Sequence, residues 1–169
     1  MPIGFLTTAE RERLNRFPDP IPDEDLSAFF TLSDTDKLEV GKQRGTHNQL
    51  GFALQLCALR YLGFAPDDLH STPRPAVLFV ARQLALPPEA LAAYGHRIHT
   101  RTTHLQQVQA YLGFSPALPL DFEALTNWLV DRALEHDKPT LLLQLACDKL
   151  RRERIVRPGV TRLERLVAA

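Results

Sequence analysis

From Thr46 to Leu62 apolar residues recur at positions 50, 54, 57 and 61, one stripe of a helix. Phe52, Ala53, Leu56 and Leu59 widen that stripe almost all the way round. A helix apolar on most sides offers water no face, so this segment is predicted as a central, buried helix that Gly63 ends. Helical patterns flank it on the N-terminal side. "TTAERERLNRF" opens with a Thr cap and acids in its first turn. "PDEDLSAFFTL" has Pro22 near its start and Asp23, Glu24 and Asp25 at the positive end of the helix dipole. "LSDTDKLEVGKQRG" offers Ser33 as N-cap and Gly45 as C-terminal stop.

Downstream, "APDDLHSTPRP" is dense in Pro, Asp, Ser and Thr and reads as a linker or long loop. "PAVLFVARQLAL" runs as a helix to Pro87-Pro88, and "PPEALAAYG" predicts a short helix ended by Gly95. "HRIHTRTTHLQQVQAYLG" is a longer one ended by Gly113. "SPALPLDFEALTNWLVDRALEHD" places Phe122, Leu125, Leu129 and Ala133 on one face. Pro139 opens another helix, and a short amphipathic one restarts after Pro158-Gly159. Clean apolar–polar alternation between turn residues, the mark of a strand, is missing. The predicted fold is all-α: two small helix-turn-helix-like bundles in tandem, followed by further helices. The predicted domains are a first helical domain with an N-terminal arm (1–64), a linker (65–74), a second bundle (75–115), and C-terminal helices (116–169) leading toward a missing downstream region.

Charge changes this picture more than composition does. Lys and Arg together number 20, as do Asp and Glu, but they are unevenly spread. The net charge is −5 over residues 1–40, +4 over 41–114, −3 over 115–147 and +4 over 148–169. The two basic blocks are an electrostatic footprint that nucleic acid can use, and equally an ordinary solvated surface. Cys57 and Cys147 sit in apolar surroundings and are expected as reduced, buried thiols. The first residues lack the basic start and apolar core of a signal peptide, and no apolar run approaches the ~20 residues of a membrane helix. No membrane partner and a cytoplasmic location are therefore expected.

Two of the longer helices share a frame. "RGTHNQLGFALQLCALRYLGF" and "RTTHLQQVQAYLGF" both open R-x-T-H and close Y-L-G-F. His99 and Gln106 stand in the second front as well; the first front carries Lys42, Gln43, Arg44, Thr46, His47, Asn48 and Gln49, and the second carries Arg97, Arg101, Thr102, Thr103, His104 and Gln107. Neither front contains a carboxylate. Arg reads guanine, Asn and Gln read adenine, and Thr reaches phosphate or the thymine methyl. These thirteen residues are the candidate DNA contacts, and Arg44 and Asn48 are expected to carry base preference. Lys149, Arg151, Arg152 and Arg154 add a candidate phosphate strip. The alternative for that strip is a solvated helix face whose charges pair locally with Glu153 and Glu164. His96, His99 and His104 lack Cys or carboxylate ligands at metal spacing, and phosphate-loop, dinucleotide and nucleophile-elbow motifs are missing. No catalytic residue, metal or cofactor is assigned. A protein-interaction or assembly module remains open beside DNA binding, with the acidic N-terminal block and the amphipathic tail as its docking elements.

The blocks "MPIGFLT", "ERLNRFP", "RGTHNQLGFALQLCALRYLGF" and "PGVTRLERLVA" together resemble the N-terminal region of transposases of replicative, cointegrate-forming bacterial transposons. These are the class II elements that usually also carry a resolvase. The resemblance implies sequence-specific binding of double-stranded DNA at the terminal inverted repeats; a second transposase copy is a further candidate partner under the assembly reading. In that family a later ribonuclease-H-type domain carries an Asp-Asp-Glu triad, and nothing in this sequence matches it. The chain is accordingly expected to be a fragment or truncated product without catalysis of its own.

Overall fold

A computed structural model describes residues 4–169. Residues 1–3, where the "MPIGFLT" block and the predicted 1–64 domain begin, lie outside the described residues. The α-helices are α1 (Thr8–Leu14), α2 (Asp23–Phe29), α3 (Asp34–Gly41), α4 (Thr46–Leu62), α5 (Arg74–Leu84), α6 (Ile98–Leu112), α7 (Pro119–Ala133), α8 (Pro139–Arg152) and α9 (Val160–Ala168). The strands among the described residues are two-residue pieces, β1 (Ser115–Pro116) and β2 (Ile155–Val156), paired in parallel. The fold is all-α, as its sequence patterns predict.

The chain divides into two units, and not at the expected boundaries. Arg16–Gly113 forms one; the stretch ending at Asn15 joins Phe114–Ala169 in the other. Both predicted bundles thus fall within one unit, and the N-terminal arm belongs with the C-terminal helices.

In the 16–113 unit, α4 is the axis. Every residue from Leu50 to Leu59 is buried, as is Tyr61. Such a helix is stabilised by packing on all sides rather than by its propensity. Its start differs from expectation in one detail: Gly45 is not the stop of α3. That helix ends earlier, and Gly45, at φ 86°, is the N-cap of α4. Gly63, at φ 79°, ends α4 in the left-handed conformation that glycine adopts without a Cβ penalty. Ser33 caps α3 as predicted: the Asp36 N–H donates to Ser33 Oγ, and the Ser33 N–H donates to Asp36 Oδ2, both at 3.0 Å. Asp36 is buried beneath three further bonds. Arg60 donates to both its oxygens at 3.0 Å, and the Tyr111 hydroxyl donates at 2.7 Å. Burial pushes the Asp36 carboxyl up, but the bonds from Tyr111 and Ser33 and the Arg60 charge outweigh it and hold it below its ordinary value.

The expected linker is packed. A 3-10 turn spans Leu69–Ser71, with Asp68 accepting the His70 N–H at 3.0 Å and Leu69 and Thr72 buried. His70 Nε2 also bonds the Leu91 carbonyl at 3.0 Å. The Pro, Asp, Ser and Thr content here supplies turn and cap chemistry rather than slack. The short helix expected after Pro87 is a 3-10 helix, Pro88–Ala93.

The other unit is built on Leu6, Leu125, Leu129, Leu142, Leu143, Ala146, Leu150, Val160 and Leu163. α1 is held to α9 by one charge pair. Glu164, buried, accepts from the Leu6 N–H at 2.8 Å and from Arg11 Nε and Nη2 at 2.9 and 3.1 Å. Arg157 donates to the Leu14 carbonyl and to Asn15 Oδ1. These contacts join residues about 150 positions apart and explain why the N-terminal arm belongs here.

Candidate nucleic-acid interface

α4 and α6 pack against one another in opposite directions. Gln55 Nε2 lies 3.4 Å from the Arg101 carbonyl, the Phe52 ring sits 5.4 Å from that of His104, and Gln43 Nε2 donates to Gln107 Oε1 at 3.2 Å. The two R-x-T-H frames are therefore not side by side. Arg101 lies near Gln55, about 14 Å along α4 from Thr46 at the 1.5 Å rise per residue.

The first front is exposed for a single turn before α4 dives into the core. Arg44 and Thr46 are exposed, while Gln43, His47, Asn48 and Gln49 are half-buried. Asn48 donates to the Arg44 carbonyl at 2.9 Å, and Gln49 donates to the Gln43 carbonyl at 3.1 Å. These amides are thus occupied by the turn that precedes the helix. Lys42 pairs with Glu39 at 2.7 Å. Arg44 has no such partner among the described residues.

The second front differs. α6 buries His104 and Val108 and turns its opposite side outward along His99, Thr102, Gln106 and Ala110, flanked by Thr103 and Gln109. Thr102 donates to the Ile98 carbonyl at 3.0 Å; Arg101 is half-buried and donates to the Asp67 carbonyl at 2.6 Å. Arg97 is exposed, Ile98 is 72% exposed, and α6 contains no carboxylate. His99 and Gln106 stand in the predicted second front, though not among its thirteen named contacts. Their positions opposite Val108 were legible from the 3.6-residue period once the buried side was known.

His104 is a correction: it is a core residue, 5% exposed. Its Nδ1 lies 2.9 Å from the Tyr94 hydroxyl, which accepts from Gln55 Nε2 at 2.6 Å. With Gln55 donating, the Tyr94 proton is free to go to Nδ1 of a neutral imidazole. Burial lowers the His104 pKa, consistent with that neutral form, and pushes the Tyr94 hydroxyl up to about 12. The histidine of the second frame thus serves the packing of α6 on α4.

The tail strip follows the local-pairing alternative in part. Lys149 pairs with Glu153 and also lies 5.2 Å over the Trp128 ring. Arg151 stands 3.6 Å from Asp148; Arg152 and Arg154 are exposed. Glu164 does not pair locally but with Arg11. Cys57 is buried and its thiol is pushed up to about 12 by burial; Cys147 is half-buried, and both are free. Among the described residues, no group of His, Cys, Asp or Glu is arranged to hold a metal ion. No helix there is long and apolar enough to cross a membrane.

The chain matches a known family along nearly its whole length. Residues 5–169 match the family described as "Domain of unknown function (DUF4158)", and the chain belongs to that family. It is 36% identical over 161 residues to the transposase for transposon Tn501 of Pseudomonas aeruginosa, covering 95% of this chain. It is 36% identical over 168 residues to the transposase for transposon Tn21 of Escherichia coli, covering 98%. Against the transposase for transposon gamma-delta of Escherichia coli strain K12 it is 33% identical over 172 residues, covering 99%. The chain matches the N-terminal part of these transposases and is transposase-related. It spans about 16% of the length of the curated relatives it matches.

Proposed function

We propose that the chain binds double-stranded DNA in a sequence-specific manner at the terminal inverted repeats of a transposon, as the N-terminal part of a transposase. The observation that carries this reading is the pair of carboxylate-free helix fronts within one unit, the front of α4 meeting the far end of α6 through Gln43 and Gln107. Such surfaces attract a phosphate backbone and present hydrogen-bonding groups to base edges. Similarity to transposases across nearly the whole chain supports it. Strand cutting and joining then belong to other parts of a transposase. Fluorescence anisotropy with duplexes bearing the element's own inverted repeat, against scrambled duplexes, tests the reading. Preference for the repeat with salt-dependent affinity supports it; weak, equal, salt-insensitive binding to both refutes it.

One observation favours a second role, protein contact, for the other unit. Leu118, Leu120, Val130 and Leu134, on and beside α7, are 59%, 76%, 59% and 86% exposed. Exposed apolar side chains grouped on and beside one helix suit a partner or a second copy. Light scattering decides it: a stable dimer that Leu120→Asp and Leu134→Asp together abolish supports this role, and a monomer at all concentrations argues against self-association.

A further inference from the structure

We infer that α6 is the helix that lies in the DNA major groove, with His99, Thr102 and Gln106 toward the base edges and the front of α4 gripping phosphate at the far end. This rests on the DNA-binding reading above and assigns the roles within it. The two fronts are unequal. α4 exposes one turn whose amides, Asn48 and Gln49, are tied to backbone carbonyls. α6 exposes a line along its whole length, from Ile98 to Ala110. The side chains of Gln106 and Thr103 have no hydrogen-bond partner among the described residues and keep their full donor and acceptor capacity.

Charge is distributed as a groove requires. Arg97, with Arg101 behind it, stands at the start of α6. At its other end Gln107 is bonded to Gln43, whose chain neighbours are Lys42 and Arg44, and Lys42 borders the same hollow as Gln107. Between these cationic ends the outward line is neutral or imidazole; at the far end Glu39, which borders the same hollow as Gln107 and Ala110, is paired with Lys42, and Asp36 is buried and bonded to Arg60 and Tyr111. Arg97 to Gln107 covers about 15 Å of helix. The major groove is about 12 Å wide between its phosphate walls. Cations at both ends of a neutral, hydrogen-bonding helix therefore fall near the two walls while the middle meets the bases. Threonine and alanine beside Gln106 keep the line slim enough for close approach.

In vitro selection from a pool of randomised duplexes, with the full chain and its variants, tests this assignment. The wild-type chain is expected to enrich one motif. Gln106→Ala and His99→Ala, at exposed positions without packing roles, are expected to relax that motif at one or two neighbouring base pairs. Each should lower discrimination there by about fivefold or more. Asn48→Ala is expected to enrich the wild-type motif unchanged, and Arg44→Ala to weaken binding to every duplex alike. If the α6 variants return the wild-type motif while Asn48→Ala relaxes it, α4 is the reader and the assignment is overturned although DNA binding stands. If the wild-type chain enriches no motif, the DNA-binding reading falls, and the assignment falls with it.

Discussion

Gly51 makes room for Tyr94. A Cβ on Gly51 would stand 2.2 Å from Cδ2 of the Tyr94 ring, which is itself fully buried against α4. Glycine inside a helix costs about 1 kcal/mol relative to alanine, so this position gives up propensity for a close approach. Gly51→Ala is expected to destabilise the 16–113 unit by about 1–3 kcal/mol, because overpacking outweighs the propensity gain. Urea denaturation measures it. In a double-mutant cycle with Tyr94→Ala, the pair should cost less than the sum of the two single changes, since the clash partner is gone.

The Tyr94 hydroxyl predicts a second cost. Tyr94→Phe keeps the ring but leaves the Gln55 amide and His104 Nδ1 without that partner in a buried site. The expected loss is about 1–3 kcal/mol, with DNA preference retained. A Tyr94→Phe variant as stable as the wild type would show that the hydroxyl chain contributes nothing.

pH dependence follows from the same cluster. Burial lowers the His104 pKa in the folded chain. An unfolded histidine takes up its proton near pH 6.5, so between that value and the lower folded one the unfolded state binds more protons. Stability is therefore lost as pH falls from about 6.5 toward the folded value. Thermal melts between pH 7.5 and 5.5 should show a falling midpoint, and His104→Asn should flatten that slope even if its overall midpoint is lower. Asp36, with a lowered carboxyl pKa, acts in a separate window: its contribution is present above about pH 4 and is lost on further acidification.

Arg44 and Asn48 separate surface charge from base reading. Arg44→Ala should weaken binding to all duplexes and lower the salt slope by about one phosphate contact. Asn48→Ala should leave base preference in place, because its amide is already bonded to the Arg44 carbonyl. A loss of preference in Asn48→Ala, the outcome the bare sequence suggests, would show that this amide leaves its turn to meet a base.

What the sequence revealed, and what it hid, divides along the range of the interactions. The span of α4, Thr46–Leu62, and its burial were legible because periodicity, capping glycine and apolar width are local signals. So were the Ser33 cap and the restart after Gly159. The joining of α1 to α9 was not, because it depends on Glu164 meeting Arg11. Whether 65–74 is a free linker or a packed loop is not legible locally: Pro, Asp and Ser build tight turns and loose linkers alike, and buried Leu69 decides for the packed loop. Among candidate contacts, composition grouped His104 with Arg101 and Thr102. Only the direction in which α6 packs shows that His104 points inward and Gln106 outward.

The central claim is that this chain distinguishes one duplex sequence from another. An equilibrium anisotropy titration of the full chain, with the inverted-repeat duplex and a scrambled duplex of equal length at two salt concentrations, tests it most directly. The account predicts at least about tenfold tighter binding to the repeat, with both affinities falling as salt rises. Equal affinity for the two duplexes, unchanged by salt, would contradict it.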